Sequence, residues 1–217
     1  LEKVYSGYKL MFYGLLSYVV LALTVYVLTF YNIYLETGSL KPVYWQQFHI
    51  YNYHSNLQES HIYSSPWWSW PLNIKPMLYY REIKEGLLSS ITVLGNPAIF
   101  LLGNIAILYL FYVLVRRVTL QAFIILSAFL ALYLPYVFID RVMFIYHFYY
   151  ALPFMILAIV YLWKDLIAYS SRFYVGLYLF LIIVIALFLL FYPVLSGYKV
   201  PLSYTTDYLN WFKGWTF

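Results

Sequence analysis

The sequence contains no cysteine, so a disulfide framework, a thiolate nucleophile and a cysteine-bound metal are all excluded. Charge is nearly as scarce. Aspartate, glutamate, lysine and arginine make up 10% of 217 residues, too little for the surface of an ordinary soluble domain. There is no phosphate-cradling glycine loop, no HExxH pair and no nucleophile elbow. The net charge of +5 does not read as a nucleic-acid footprint, because the basic residues fall singly or in pairs at the ends of apolar runs, where membrane topology places them. What fills the chain is apolar (65%) and aromatic (24%) side chains, the composition of an integral membrane protein. It begins at Leu1, with no signal peptide before the first apolar run, and is expected to be part of a longer polypeptide.

A membrane span needs about twenty mostly apolar residues, and five stretches qualify: 10–30, 97–115, 120–139, 142–163 and 173–192. The short connections carry Lys3 and Lys9, Arg116 and Arg117, and Lys164 and Arg172 on one side, which the positive-inside rule makes cytoplasmic. Asp165 is expected to pair with Lys164 there. The remaining segments then share the outer face: residues 32–96 as a long loop after the first span (1–31), and 193–217 as a tail after the four-span block 97–192. The fold class is therefore an all-α membrane protein of about five transmembrane helices, with an outer-face aromatic loop and a small β-hairpin.

Within the long loop, 43–59 reads as an amphipathic helix whose Gln47, Tyr51, His54, Gln58 and His61 recur at helical spacing. His54 and His61 could be metal ligands, but two histidines two turns apart lack the further ligands that zinc sites show, so no metal is assigned. The alternative is an interfacial helix with its polar groups turned to water or to the rest of the fold. The stretch HIYSSPWWSWPLNIKPMLYY, 61–80, is punctuated by Pro66, Pro71 and Pro76, each of which fixes its own φ and restricts its predecessor. Trp67, Trp68 and Trp70 are expected to form an aromatic plate at the membrane–water interface, as anchors or as a platform for a sugar ring. Residues 77–81 and 87–93 read as strands around the turn 82–86. Asn96 and Pro97 read as the cap and first residue of the second span. Pro135 should weaken the end of the third span, and Pro153 should kink the fourth.

Titratable groups able to do chemistry are few. Glu59 and Asp140 are the only acids beside unusual features, and no general base stands out. Arg141, at the end of a span, is either an interfacial anchor paired with Asp140 or, together with His147, a holder of a lipid-linked phosphate. On one regular helix the two side chains would point about 120° apart, so convergence requires Arg141 to sit in a turn before the helix. Lys75 and Arg81 flank the aromatic loop as solvated charges or further phosphate contacts.

The ordered motifs HIYSSPWWSWPLNIKPMLYY, LGNPAIFLLGN, RVMFIYHFYYALPF, FYPVLSGYKVP and NWFKGWTF resemble the C-terminal four-span region of the dolichyl-phosphate-mannose-dependent protein O-mannosyltransferases. The likeness extends over nearly the whole chain. The segment 31–61 is too short for the β-trefoil domain of eukaryotic members, which points to the prokaryotic form in an archaeal or bacterial plasma membrane with its functional face outward. The resemblance implies a GT-C type enzyme that transfers mannose from a polyprenyl phosphate to Ser or Thr of a protein. It also implies that the catalytic carboxylates lie in an N-terminal half this sequence does not match. Trp70, Pro71, Gly95, Asn96, Pro97, Arg141, Tyr146 and His147 are the family-typical positions, with Arg141 and His147 as candidates for the donor phosphate. His54, His61 and Asn96 are candidates for a polar site wall. The implied partners are the bilayer, the lipid-linked sugar donor, and the N-terminal half or other membrane subunits, with no cofactor in the chain itself. The alternative reading is a non-catalytic scaffold or lipid-binding subunit that keeps this fold.

Overall fold

The computed structural model describes residues 2–56 and 60–217, with only the backbone for 2–8, 10 and 11, and divides into two compact units, Leu1–Leu57 and Gln58–Phe217. In the first unit, helix α1 (Glu2–Leu28) is followed by α2 (Tyr31–Thr37), bent from it by 49°. Helix α3 (Lys41–Ser55) starts on Pro42, whose missing N–H costs nothing in a first turn. It ends at Ser55, short of the expected Glu59; Gln58 and Glu59 lie outside the described residues.

Among the described residues, the second unit holds four helices long and apolar enough to cross a membrane, and the bent pair α1–α2 makes a fifth when taken as one span. Helix α4 (Pro97–Arg116) is capped by the Asn96 side chain, which accepts from the N–H groups of Ala98 and Ile99. Helix α5 (Leu120–Tyr133), capped by Thr119, tightens after Pro135 into a 3₁₀ turn, Leu134–Phe138. Helix α6 spans Leu152–Tyr169 and α7 spans Phe173–Ser196. Helix α4 packs on α5, α6 and α7, and approaches α6 closely at Gly103, where a Cβ would stand 2.4 Å from Met155 Cγ.

Two expected spans are corrected. The fourth does not begin at Val142. Residues 139–144 run without regular structure, Ile145–Tyr150 form 3₁₀ turns, and α6 starts only at Leu152. Pro153 consequently sits in the first helical turn, where there is no intrahelical bond to remove, and produces no mid-span kink. The last span continues through Pro193 to Ser196, where Gly197 in the left-handed conformation ends it.

The hairpin is longer and tighter than its sequence suggests. Strands β1 (Met77–Lys84) and β2 (Leu87–Val93) pair as far as Lys84↔Leu87. The turn is only Glu85-Gly86, both at positive φ, the arrangement that matches the twist of two-residue hairpins. A third strand, β3 (Val200–Pro201), pairs with the end of β2 and was not expected from the sequence. The buried face of this sheet packs through Leu88 on Phe191 and Val194 of α7 and on Leu209, Trp215 and Phe217 of the tail. In this unit the helices alternate in direction. The sheet, the loop 60–76, the segment 139–151 and the tail thus share one end, while Arg116, Arg117, Lys164 and Arg172 gather at the other.

At that second end Asp165 pairs with Arg117, not with Lys164. Neighbours on a helix point about 100° apart, whereas the α4–α5 turn delivers the Arg117 guanidinium from across the bundle. Tyr109 also donates to Asp165, at 2.8 Å, and Lys164 lies over the Tyr161 ring instead.

Candidate functional site

The loop 60–76 and the segment 139–151 meet at the sheet end of the bundle. The Ser65 N–H donates to the Met143 carbonyl at 2.9 Å, and a 3₁₀ turn at Trp67–Ser69 follows Pro66. This turn swings Trp70 inward. Trp70 is fully buried, and its Nε1–H is shared between the Ser65 carbonyl (3.2 Å) and hydroxyl (3.0 Å). Its ring stacks on the His147 imidazole with centroids 5.7 Å apart and planes 14° from parallel, and meets Tyr136 edge-on at 5.2 Å.

The three tryptophans therefore do not form one exposed plate. Trp68 faces outward, 54% exposed. Trp67 is half-buried, edge-on to Tyr133, whose hydroxyl donates to the Trp67 carbonyl. Trp70 belongs to the core. In a 3₁₀ turn, residues three apart share a side, so Trp67 and Trp70 both face the bundle while Trp68 is turned away.

His147 is held on several sides. Tyr146 stacks on it at 4.5 Å, Tyr136 meets it edge-on at 5.5 Å, and its Nδ1 lies 2.9 Å from the Phe144 carbonyl. Burial pushes its pKa below the ordinary histidine value, partly offset by the bond to Phe144, and the charge of nearby Arg141 pushes in the same direction as burial. The imidazole is accordingly neutral at pH 7 in the free protein, with Nδ1 engaged by the backbone. Arg141 also lowers the pKa of the half-buried Tyr146, against the larger effect of burial, which raises it. Tyr149 is pushed up to about 12 by burial and stays a neutral phenol. Arg141 thus lies within electrostatic reach of His147 and Tyr146, and it sits in irregular backbone ahead of the helix, the condition for convergence stated above.

The lowered pKa has a testable consequence. Unfolding frees His147 to bind a proton near pH 6.5 while the folded site resists it, so stability is full above that value and declines as pH falls through the lower folded pKa. Thermal unfolding in detergent should show a midpoint lower at pH 5 than at pH 7.5, with part of that difference removed in His147→Gln. An identical pH dependence in the variant would show that His147 is not the group responsible.

The remaining candidates are dispersed. Asn96 is occupied structurally: besides capping α4, its Nδ2 donates to the Val184 carbonyl of α7 at 2.9 Å. His54 lies on α3 in the first unit, edge-on to Tyr53. His61, in the second, accepts from the Tyr63 N–H and meets Phe144 edge-on at 5.2 Å. Among the described residues no three His, Asp or Glu come together as metal ligands would. Lys75 donates to the Ser64 carbonyl at 2.8 Å, bracing the loop, and Arg81 is exposed on β1.

Sequence reasoning missed Asn73. Its side chain pairs with both backbone groups of Gly95 (2.8 and 3.2 Å), and its carbonyl accepts from Trp215 Nε1 at 2.9 Å. One residue thus ties the aromatic loop to the entrance of α4 and to the tail. Gly95 permits this closeness because the Phe100 ring fills the space a Cβ would take, 2.0 Å away. The available signal was Asn73 itself, at φ 54° in a Pro-rich loop, since asparagine is the side-chain-bearing residue that best tolerates that conformation. Asn104, donating to the Pro71 carbonyl at 2.8 Å, adds a second tie from α4.

Comparison with known proteins gives a consistent result. A family model described as the C-terminal four TMM region of protein-O-mannosyltransferase matches residues 40–215. No curated protein matches the chain. Among solved structures, the S. cerevisiae protein O-mannosyltransferase Pmt1-Pmt2 complex bound to the sugar donor contains a chain of similar fold, with TM-score 0.67 and 21% identity. The likeness covers 79% of this chain and 26% of that one, so the sequence spans about a quarter of the length of the solved relative.

Proposed function

The chain belongs to the protein O-mannosyltransferase family as its C-terminal four-span region, and from that premise we propose that it is the sugar-donor-binding part of an enzyme that moves mannose from a polyprenyl phosphate to Ser or Thr of proteins. The reaction breaks the bond from the anomeric carbon to the phosphate oxygen and forms one to the acceptor hydroxyl oxygen. The hydroxyl proton goes to a carboxylate supplied by the N-terminal half, and polyprenyl phosphate leaves with the electron pair. The leaving phosphate needs cations and N–H donors that are already oriented.

What supports this reading is the electrostatic influence of Arg141 on the Trp70-braced His147, with Arg141 in irregular backbone at one end of the bundle. A forked guanidinium suits phosphate oxygens. A phosphate beside His147 would oppose the present depression of its pKa and favour the imidazolium, a second donor. Trp68, exposed on the same loop, is placed for the headgroup region or the sugar face. The membrane is proposed to be an archaeal or bacterial plasma membrane with this end outward.

The 217-residue chain alone, given dolichyl-phosphate-mannose and a Ser/Thr-rich acceptor in a reconstituted assay, should transfer no mannose, and co-expression with the N-terminal half should restore transfer. Robust transfer by the chain alone would overturn the two-part arrangement. Failure with both halves present would favour the non-catalytic scaffold instead.

A further inference from the structure

Helices α6 and α7 meet at Trp163, which packs on Phe180 and Gly176, and beside that contact they line a groove of about 400 Å³. Its walls are apolar, including Ile156, Val160 and Ile167 of α6 and Leu181 of α7. At its far end from the sheet stand Trp163 and Lys164. Because these helices are candidate membrane spans, the groove lies at the depth of lipid chains.

We infer that this groove is a binding site for one chain of an anionic phospholipid, whose phosphate sits against Lys164. Three observations support that occupant. The first is length. From Lys164 to Ile156 the wall covers eight residue steps, about 12 Å at the α-helical rise, within the roughly 15 Å depth of one leaflet's hydrocarbon. An acyl chain whose phosphate sits at Lys164 would lie along this wall.

The second is charge. Asp165 at this end is already paired with Arg117, whereas the exposed Lys164 reaches only a weak 3.4 Å contact with Gln121 and the Tyr161 ring, and Arg172 follows in the α6–α7 turn. A negative headgroup is the complement. The third is the indole of Trp163. Its six-membered ring lies 3.1 Å from the position of a Cβ on Gly176, and its buried Nε1–H finds no acceptor among the described residues. A buried donor without a partner, in a residue that lines the groove, would be satisfied by an ester or phosphate oxygen. The Lys164 end, where the phosphate would sit, is at the opposite end of the bundle from Arg141 and His147, so this assignment does not depend on the proposed sugar-donor site.

The test is lipid retention by the purified chain in mild detergent, read by native mass spectrometry after incubation with phosphatidylglycerol or phosphatidylcholine of the same chain length. Phosphatidylglycerol should be retained about fivefold better, the effect of one nearby cation on an acidic lipid. Lys164→Gln should erase that preference while leaving the zwitterionic lipid bound as before. Val160→Trp, a change at an exposed wall position that fills the groove without touching the core, should lower retention of both. Equal retention of the two lipids by the unchanged protein, a preference that survives Lys164→Gln, or adducts undiminished by Val160→Trp would each overturn the assignment. Complete absence of lipid adducts would do so too, indicating a groove closed by another helix.

Discussion

Trp70→Ala is expected to destabilise the chain by about 3–5 kcal/mol, the range for deleting a large aromatic from a packed core. The residue is fully buried, and its loss removes three things together: the ring packed between His147 and Tyr136, the indole N–H shared by the Ser65 carbonyl and hydroxyl, and the brace holding the loop 60–76 against the segment 139–151. The surrounding side chains arrive from three elements and cannot all collapse into the space. A loss of that size lowers the thermal midpoint of a chain this long by roughly 6–20 °C. Trp70→Phe keeps most of the buried area and should cost less, chiefly the Ser65 hydrogen bonds. Trp68→Ala is the control: with the ring mostly exposed, it should stay within about 0.5 kcal/mol of the parent. Thermal unfolding of the three variants in detergent decides the matter. Equal losses for Trp68 and Trp70 would contradict the burial described above.

The second large effect is on the sugar donor. In the full-length enzyme, Arg141→Ala should weaken binding of the polyprenyl-phosphate donor by about 2–4 kcal/mol, the cost of truncating one partner of a partly desolvated charge pair, or roughly 30- to 1,000-fold in Kd. Arg141→Lys keeps the charge but loses the planar fork, so it should fall between the two. Arg141 lies in irregular backbone outside the two main apolar clusters, which predicts a thermal midpoint for Arg141→Ala close to the parent's. If the guanidinium stabilises the leaving phosphate as charge develops, kcat drops with affinity; if it only captures the donor, KM alone rises. Donor affinity unchanged in Arg141→Ala would return the residue to the role of interfacial anchor.

The two predictions separate positions that look alike in the sequence. Trp68 and Trp70 are near neighbours of the same type, yet one is expected to matter little and the other greatly. The physical reason is the 3₁₀ turn after Pro66, which rotates each side chain about 120° from the last and so separates Trp68 from Trp70; only the packing of segment 139–151 reveals which side is the core. Pro153 shows the same limit in another form. Its position in an apolar run suggested a kink, but the run 142–163 contains a break in helix that hydropathy cannot register, because irregular backbone covered by protein can be as apolar as a helix.

The amino-acid sequence alone determined what depends on consecutive residues. The apolar lengths set the number of candidate spans but not the bounds of each, Asn96-Pro97 set the start of α4, the turn residues set the existence of the hairpin, and the order of the motifs set the family. Tertiary structure decided what depends on residues far apart in the chain: that Asn73 holds Gly95 and, across 142 positions, Trp215; that Asp165 chooses Arg117 over its neighbour; and that His147 is stacked on Trp70, where burial lowers its pKa. Hydropathy and turn preference are sums over short windows, whereas burial, pairing and a shifted pKa are set by which surfaces the packed helices bring together.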